Sequence, residues 1–463
     1  MAGLRIHEDR LDAALDGGDA DLALAVVTAT KPDFYKQAPV VAAARERGFP
    51  CFVLHTGQHY DDVLGHGLVE YGIDDAIAVD LGVRGGLSEK TAQVTTRVAD
   101  IAAHLDEHYP GTTILPLVHG DTHAAGVVPQ AWAFATNQYA AHNEAGLRGM
   151  APSFDVYAAD DVDAAAFVHD QWAGEWSLDR SEPFPEQYDT FVGSAACLYH
   201  FAPVDLNREH LVREGYPAAV DGEERIPVVG NSVVDAIELK ADAEGEESVF
   251  DVYPELEKRD DWLRVDIHRR ANLLPDRFRA IVDCVVHLVE AGYNVNFVEL
   301  HATGTALDEY GLRENLDRLA ADNDNFLFTG LWKKHAHVYE FFRSGQCFAA
   351  LTDSGSVQEE LNHIRETRCL TARFNTDRPE TVMDANTNLL VPPVSGESMA
   401  EIVEYAFTDD ATRDRLGSGP RLYGENVGTG IVRYFEDLDD PATFEWSHDR
   451  AAFDVDDGAF DYL

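Results

Sequence analysis

The chain is short of lysine. Only seven lysines stand beside 29 arginines, against 83 acidic residues, for a formal net charge of −47. That balance leaves no basic footprint, which excludes nucleic acid as a partner. No apolar run approaches the ~18 residues of a spanning helix. The acidic opening MAGLRIHEDRLDAALDGGDADL has no hydrophobic segment of a signal peptide. A cytoplasmic chain with no membrane partner is therefore expected. The five cysteines, Cys51, Cys197, Cys284, Cys347 and Cys369, form no CxxC pair and mostly lie in or beside apolar runs. They read as reduced, buried thiols. There is no GxGxxG and no Walker A motif, so neither a dinucleotide nor a P-loop site is indicated.

What is present is globular. Apolar residues make up 45% of the 463, enough for more than one core at this length. The acidic charge is spread along the chain and interleaved with aromatics, unlike a disordered tail. Such a surface suits a salt-rich cytoplasm, where ions screen its self-repulsion. Short apolar runs alternate with helical patterns: LALAVVT (22–28), PCFVLHTG (50–57), TILPLVHG (113–120), NQYAAHNEAG (137–146) and CLYHFAP (197–203). The scheme resumes with IPVVGN (226–231), WLRVDIHR (262–269), NVNFVELHA (294–302), NFLFTG (325–330), CFAALTDSG (347–355), RCLTARF (368–374) and NLLVPP (388–393). Continuous apolar strands separated by helices imply parallel sheets covered on both faces. The reading is α/β, with two Rossmann-like domains facing each other across a cleft. Expected bounds are 1–225 with an acidic insert near 149–184, then 226–420, then a returning helix and tail over 421–463.

In such sheets ligands sit beyond the carboxyl ends of the strands. Here the strand ends carry chemistry: His119 and Asp121, then Glu144, then His268 and Arg269, then Asp353-Ser354-Gly355-Ser356 opening a helix. Asp121, Glu144 and Glu186 suit acid–base work at a sugar carbon, although each is equally a solvated surface charge. Small residues opening a helix favour an anion, yet read alone this is also an ordinary Ser N-cap. His119, Asp121 and His123 do not match a standard zinc spacing, and no metal is assigned.

Taken in order, these segments resemble the non-hydrolysing UDP-N-acetylglucosamine 2-epimerases, which have a glycosyltransferase-B-like fold. The family's GTRPExxKxAP is similar to the stretch from Ala29 to Pro39, and its TxQH to Thr56-Gly57-Gln58-His59. HGDT stands intact at 119–122, HVEAGLR appears as His142 to Arg148, and PEExNR as Pro185 to Thr190. YHFxP follows at Tyr199 to Pro203, and GNxVxDA at Gly230 to Ala236. HRRE appears as His268 to Ala271, LTDSGGxQEE as Leu351 to Glu360, and TxRPE as Thr376 to Glu380.

The resemblance implies interconversion of UDP-N-acetylglucosamine and UDP-N-acetylmannosamine. UDP leaves by anti elimination to 2-acetamidoglucal and returns by syn addition, with no cofactor. It implies Asp121, Glu144, Glu186 and His268 as catalytic groups. Lys31, Lys36, His119, Arg148, Arg269, Ser354, Gly355, Ser356, Glu360 and Arg378 would then bind the UDP-sugar. It also implies a homodimer, and the charge marks a member of haloarchaeal type. The chain departs from the family pattern at Lys31 for arginine, Ser356 for glycine, Ala271 for glutamate, Asp189-Thr190 for Asn-Arg, and in the Trp-bearing insert. A hydrolysing epimerase, a 2-epimerase of a UDP-diacetamido uronic acid, a UDP-sugar-binding module and a glycosyltransferase stay open on residues alone.

The charge yields the first prediction. Folding and activity should need molar salt and fail on dilution. A thermal midpoint unchanged between low and molar salt would overturn this.

Overall fold

The computed structural model describes residues 3–15, 22–57, 71–161, 163–220, 222–241, 247–332 and 334–438. Gln58, His59 and the tail beyond residue 438 lie outside the described residues, as does the side chain of Lys31. Two compact units emerge. The first is built from 3–147, Phe184–Ala236 and 423–438, the second from Arg148–Pro183 and Ile237–Leu422.

In the first unit the elements run β1 (Arg5–Ile6), β2 (Leu22–Thr28), α1 (Lys31–Arg47), β3 (Cys51–His55), β4 (Ile77–Asp80), α2 (Leu87–His108), β5 (Thr113–His119) and α3 (His123–Thr136). Then come β6 (Ala140–Asn143), α4 (Glu186–Ala195) and β7 (Cys197–Phe201). Among the described residues they form a seven-stranded sheet ordered β1-β4-β3-β2-β5-β6-β7. It is parallel except that β1 runs antiparallel to β4. All seven residues of β2 are buried, which is why its sequence is a continuous apolar run rather than an alternation. The register pairs His119 with Asn143. Strands β5 and β6 therefore end level, and the next residues on each are the polar ones.

Helix α1 begins at Lys31, directly after the Thr30 N-cap. Pro32 fits a first turn, where its missing N–H is not needed. The Asp33 carboxylate accepts from the backbone N–H groups of Ala29 (3.0 Å) and Thr30 (2.8 Å), closing the helix start. The late helix Val427–Glu436 buries Val427, Ile431, Val432 and Phe435. It packs on α1, where Arg47 meets Glu436 at 2.8 Å.

The second unit holds β8 (Trp262–Asp266), α5 (Pro275–Glu290), β9 (Val295–Glu299), β10 (Phe326–Gly330), β11 (Cys347–Thr352), α6 (Gly355–Ile364), β12 (Arg368–Thr371), β13 (Asn388–Leu390) and α7 (Gly396–Thr408). Its parallel six-stranded sheet is ordered β10-β9-β8-β11-β12-β13. The amphipathic helix α5 buries Phe278, Ile281, Cys284, Val285 and Leu288 on one face, spaced for a core-facing stripe.

Two expectations are corrected. The 226–231 run forms no strand; it makes one parallel bridge, Val228 with Ala202. It stays with the first unit, where the Asn231 N–H donates to the Tyr423 carbonyl at 2.9 Å. The division thus falls at Ala236/Ile237, not 225/226. The 149–184 insert is also not part of the first unit. Val156, Ala159, Phe167 and Val168 join the second unit's core, because its helix Ala164–Ala173 places its apolar face on α7.

Gln171 on that helix is fully buried. Its Nε2 donates to the Leu390 carbonyl (3.0 Å) and its Oε1 accepts from the Leu390 N–H (2.7 Å). The insert thereby closes the open edge of β13, which would otherwise present unpaired backbone groups. Gln171→Ala leaves both unmet, a loss of about 2–3 kcal/mol. Urea unfolding in molar salt measures it; a midpoint matching wild type would show that the edge is satisfied otherwise.

Candidate active site

In the first unit, the strand ends deliver the expected groups into a buried network. Glu144 directly follows β6 and is 1% exposed. Its backbone lies at φ 62°, the left-handed region that costs a residue with a side chain about 1–3 kcal/mol. Its Oε1 accepts from Lys36 Nζ (2.8 Å) and Asn231 Nδ2 (3.0 Å). Its Oε2 stands 2.6 Å from His119 Nε2. The other imidazole nitrogen, Nδ1, lies 3.2 Å from Asp33 Oδ1.

Asp33, His119 and Lys36 are also buried, so two carboxylates balance two cations out of water, the condition under which buried charges persist. Burial alone would push the His119 imidazole down. The adjacent Glu144 carboxylate and the bonds to Asp33 and Glu144 overcome that and raise it to about 9. With a carboxylate at each nitrogen, His119 is a doubly protonated imidazolium.

Asp121, in the turn after β5, and Glu186, the first residue of α4, are half-buried and so reachable from solvent. Glu144 is buried, with its oxygens committed to protein donors. Lys31 opens α1. The sequence reading passed over Asp33 and Asn231 as site residues, although each stood in a quoted motif. Their pairing is set by tertiary contact and left no local signal.

In the second unit, Asp353 ends β11 and is wholly buried. It accepts from the backbone N–H groups of His268 (3.1 Å) and Arg269 (3.0 Å) and from Asn272 Nδ2 (3.1 Å). It also lies 3.2 Å from His268 Nδ1, while the imidazole is 45% exposed. Asp353, named from sequence only as the first residue of the helix-opening turn, also sets the orientation of the loop after β8.

Helix α6 starts at Gly355 with no side-chain cap. A Cβ at Gly355 would fall 2.9 Å from Arg378 Nη1 and 3.5 Å from Arg269 Nη2, so the missing side chain admits two guanidinium groups beside the helix start. Arg378 is held by Glu359 (2.9 Å) and Asp377 (2.5 Å), and Asp377 also by Arg373 (2.9 Å). Burial would raise the Asp377 carboxyl, but Arg378, Arg373 and Arg269 hold it well below the usual carboxylate range. Free N–H groups, the helix dipole and two arginines make an anion cradle.

Ser354 and Ser356 flank Gly355 half-buried, and Glu360 is buried on the same helix. Arg148, 1% exposed, begins the segment 148–183 in this unit. Among the described residues no group of three or more His, Cys, Asp or Glu side chains is placed to hold a metal ion. No described helix is long and apolar enough to cross a membrane.

Two parallel α/β sheets, one ending in carboxylates and the other in an anion cradle, define an enzyme fold of the glycosyltransferase-B-like kind. Comparison with known proteins narrows this. The family model for UDP-N-acetylglucosamine 2-epimerase matches residues 166–433, and the chain belongs to that family. It is 27% identical to the UDP-N-acetylglucosamine 2-epimerase of Methanocaldococcus jannaschii, over 80% of this chain and 88% of that one. It is 26% identical to that of Salmonella typhimurium, over 89% and 97%. The crystal structure of UDP-GlcNAc 2-epimerase from Neisseria meningitidis bound to UDP-GlcNAc has the same fold, with a TM-score of 0.70 at 21% identity, over 90% of this chain and 100% of that one.

The His119 network makes stability depend on pH. An imidazole raised from 6.5 to about 9 in the folded state contributes stability that is complete below pH ~6.5 and lost as pH rises through ~9, on the order of 3 kcal/mol. His119→Asn should flatten the fall in unfolding free energy between those limits. Parallel pH dependences for mutant and wild type would remove His119 as its source.

Proposed function

We propose that this protein reversibly epimerises C2 of UDP-N-acetylglucosamine to give UDP-N-acetylmannosamine. In the reading we favour, the bond from C1 to the diphosphate oxygen breaks as the C2 proton leaves, giving 2-acetamidoglucal and UDP. The bond re-forms on return of UDP, with a proton added to the opposite face of C2. The observation that carries this reading is the anion cradle at Gly355. A weakly acidic C–H is broken only if the departing diphosphate is stabilised, and Arg269, Arg378, the helix start and His268 are suited to that load. Ser354 and Ser356 would bind phosphate oxygens and Glu360 the ribose hydroxyls.

Asp121 and Glu186, both half-buried and reachable from solvent, are the proton-handling candidates. Glu144 serves as a fixed negative charge that, with Lys36 and His119, shapes the sugar side. Lys31 and Arg148 are nucleotide-site or closure residues in this reading. A homodimer and a salt-adapted cytoplasm of haloarchaeal type belong to the same proposal, the latter on the strength of the −47 charge.

Reaction with UDP-N-acetylglucosamine in heavy water and molar salt, followed by NMR, should place deuterium at C2 of both recovered UDP-sugars. Asp121→Asn should lower turnover by roughly 10²–10⁴-fold while UDP binding persists. Free N-acetylmannosamine would instead mark a hydrolysing epimerase. Product without deuterium at C2, or no product, would overturn the reading.

A further inference from the structure

Residues 189 and 190 are Asp and Thr where the family pattern has Asn and Arg. Asp189, on α4, is 1% exposed and lies against α3. A Cβ on Gly126 would come within 2.5 Å of Asp189 Oδ1, so the carboxylate touches helix backbone and cannot move aside. His123, the first residue of α3, places Nδ1 3.3 Å from both Asp189 oxygens. Its Nε2 is 2.8 Å from Thr91 Oγ1. The Thr91 hydroxyl donates to the Leu87 carbonyl at 2.9 Å, so toward His123 it can only accept. Nε2 therefore carries a proton.

That leaves one exchangeable proton on the line from Nδ1 to the carboxylate. The pair is imidazolium with carboxylate, or imidazole with carboxylic acid. Either form is neutral overall, and loss of the proton leaves one negative charge. The groups that face the pair are Thr91 from α2 and Asp121 from the turn after β5. Burial pushes the Asp189 carboxyl up; His123 opposes this and the Asp121 charge adds to it. Asp121 stands two residues from the imidazole that shares the Asp189 proton.

We propose that His123 and Asp189 are positioning residues for the acid–base step at Asp121, holding a shared proton that keeps the charge beside Asp121 at zero until it is lost on the alkaline side. This rests on the epimerase reading for its meaning in catalysis, but the shared proton is observable without substrate.

Asp189→Asn fixes the neutral state, because the amide donates to Nδ1 while Nε2 stays protonated. The variant should keep kcat near neutral pH within about tenfold, well short of the ~10²–10⁴-fold loss of a proton-transfer group. It should also lose the alkaline limb of the wild-type kcat profile. ¹⁵N NMR of the imidazole should show His123 in wild type losing one proton from Nδ1 as pH rises, and in Asp189→Asn the Nε2–H tautomer throughout. His123→Gln, the second variant, should change the profile in the same region.

Folding is checked by UDP affinity and thermal midpoint in molar salt. Profiles for Asp189→Asn and wild type that superimpose, a wild type with no alkaline limb, or a folded Asp189→Asn inactive at every pH would each overturn the proposal. If wild type makes no UDP-N-acetylmannosamine, the epimerase reading falls. The NMR titration then decides alone: no pH-dependent change at Nδ1 removes the shared proton.

Discussion

A carboxylate out of water survives as an anion only if its surroundings supply opposite charge and donors for its oxygens. Glu144 meets that condition in a backbone conformation that strains it, because Lys36, Asn231 and His119 converge on it from three separate segments. Much of the first unit follows from this one requirement. Helix α1 must start where Asp33 can both close it and hold His119. Strands β5 and β6 must end level. The chain after β7 must return far enough to place Asn231 before it leaves the unit. Removing one partner would strand a buried charge, which is costlier than losing a surface ion pair. The geometry beside Asp121 is rigid because its neighbours are electrostatically interlocked.

The same logic explains how a chain with so few cations uses them. Lys36 is buried, and so are Arg148, Arg264, Arg373 and Arg378. Lys36, Arg373 and Arg378 stand opposite specific carboxylates, and Arg378 also flanks the helix start at Gly355.

Much of this was legible in the sequence where a local signal existed. Apolar runs gave the strands, and the polar residues ending them gave His119, Asp121, Glu144, His268 and the Ser354-Gly355-Ser356 turn. What stayed hidden was pairing. Lys36 and Glu144 are 108 residues apart, and no pattern in either neighbourhood announces the other. Asp353 and Asn231 sat inside quoted motifs, yet their burial against named donors is a property of the folded sheet. The 226–231 run resembles a strand in composition but finds one bridging partner, Val228 with Ala202. The insert was read with the first domain from its place in the chain; its buried Phe167, Val168 and Gln171 show that one face of a ten-residue helix suffices to dock it on the second unit.

The late helix Val427–Glu436 has a consequence for biosynthesis. It packs on α1, which emerges from the ribosome almost four hundred residues earlier. During translation the apolar side of α1 waits uncovered while the whole intervening unit is made and released. Domains commonly fold from the N-terminus as they are synthesised, but here the order is inverted. The second unit has all its segments once residue 422 is out, whereas the first gains its closing helix among the last described residues. The nascent chain therefore carries a completed second unit before the first is sealed by its late helix.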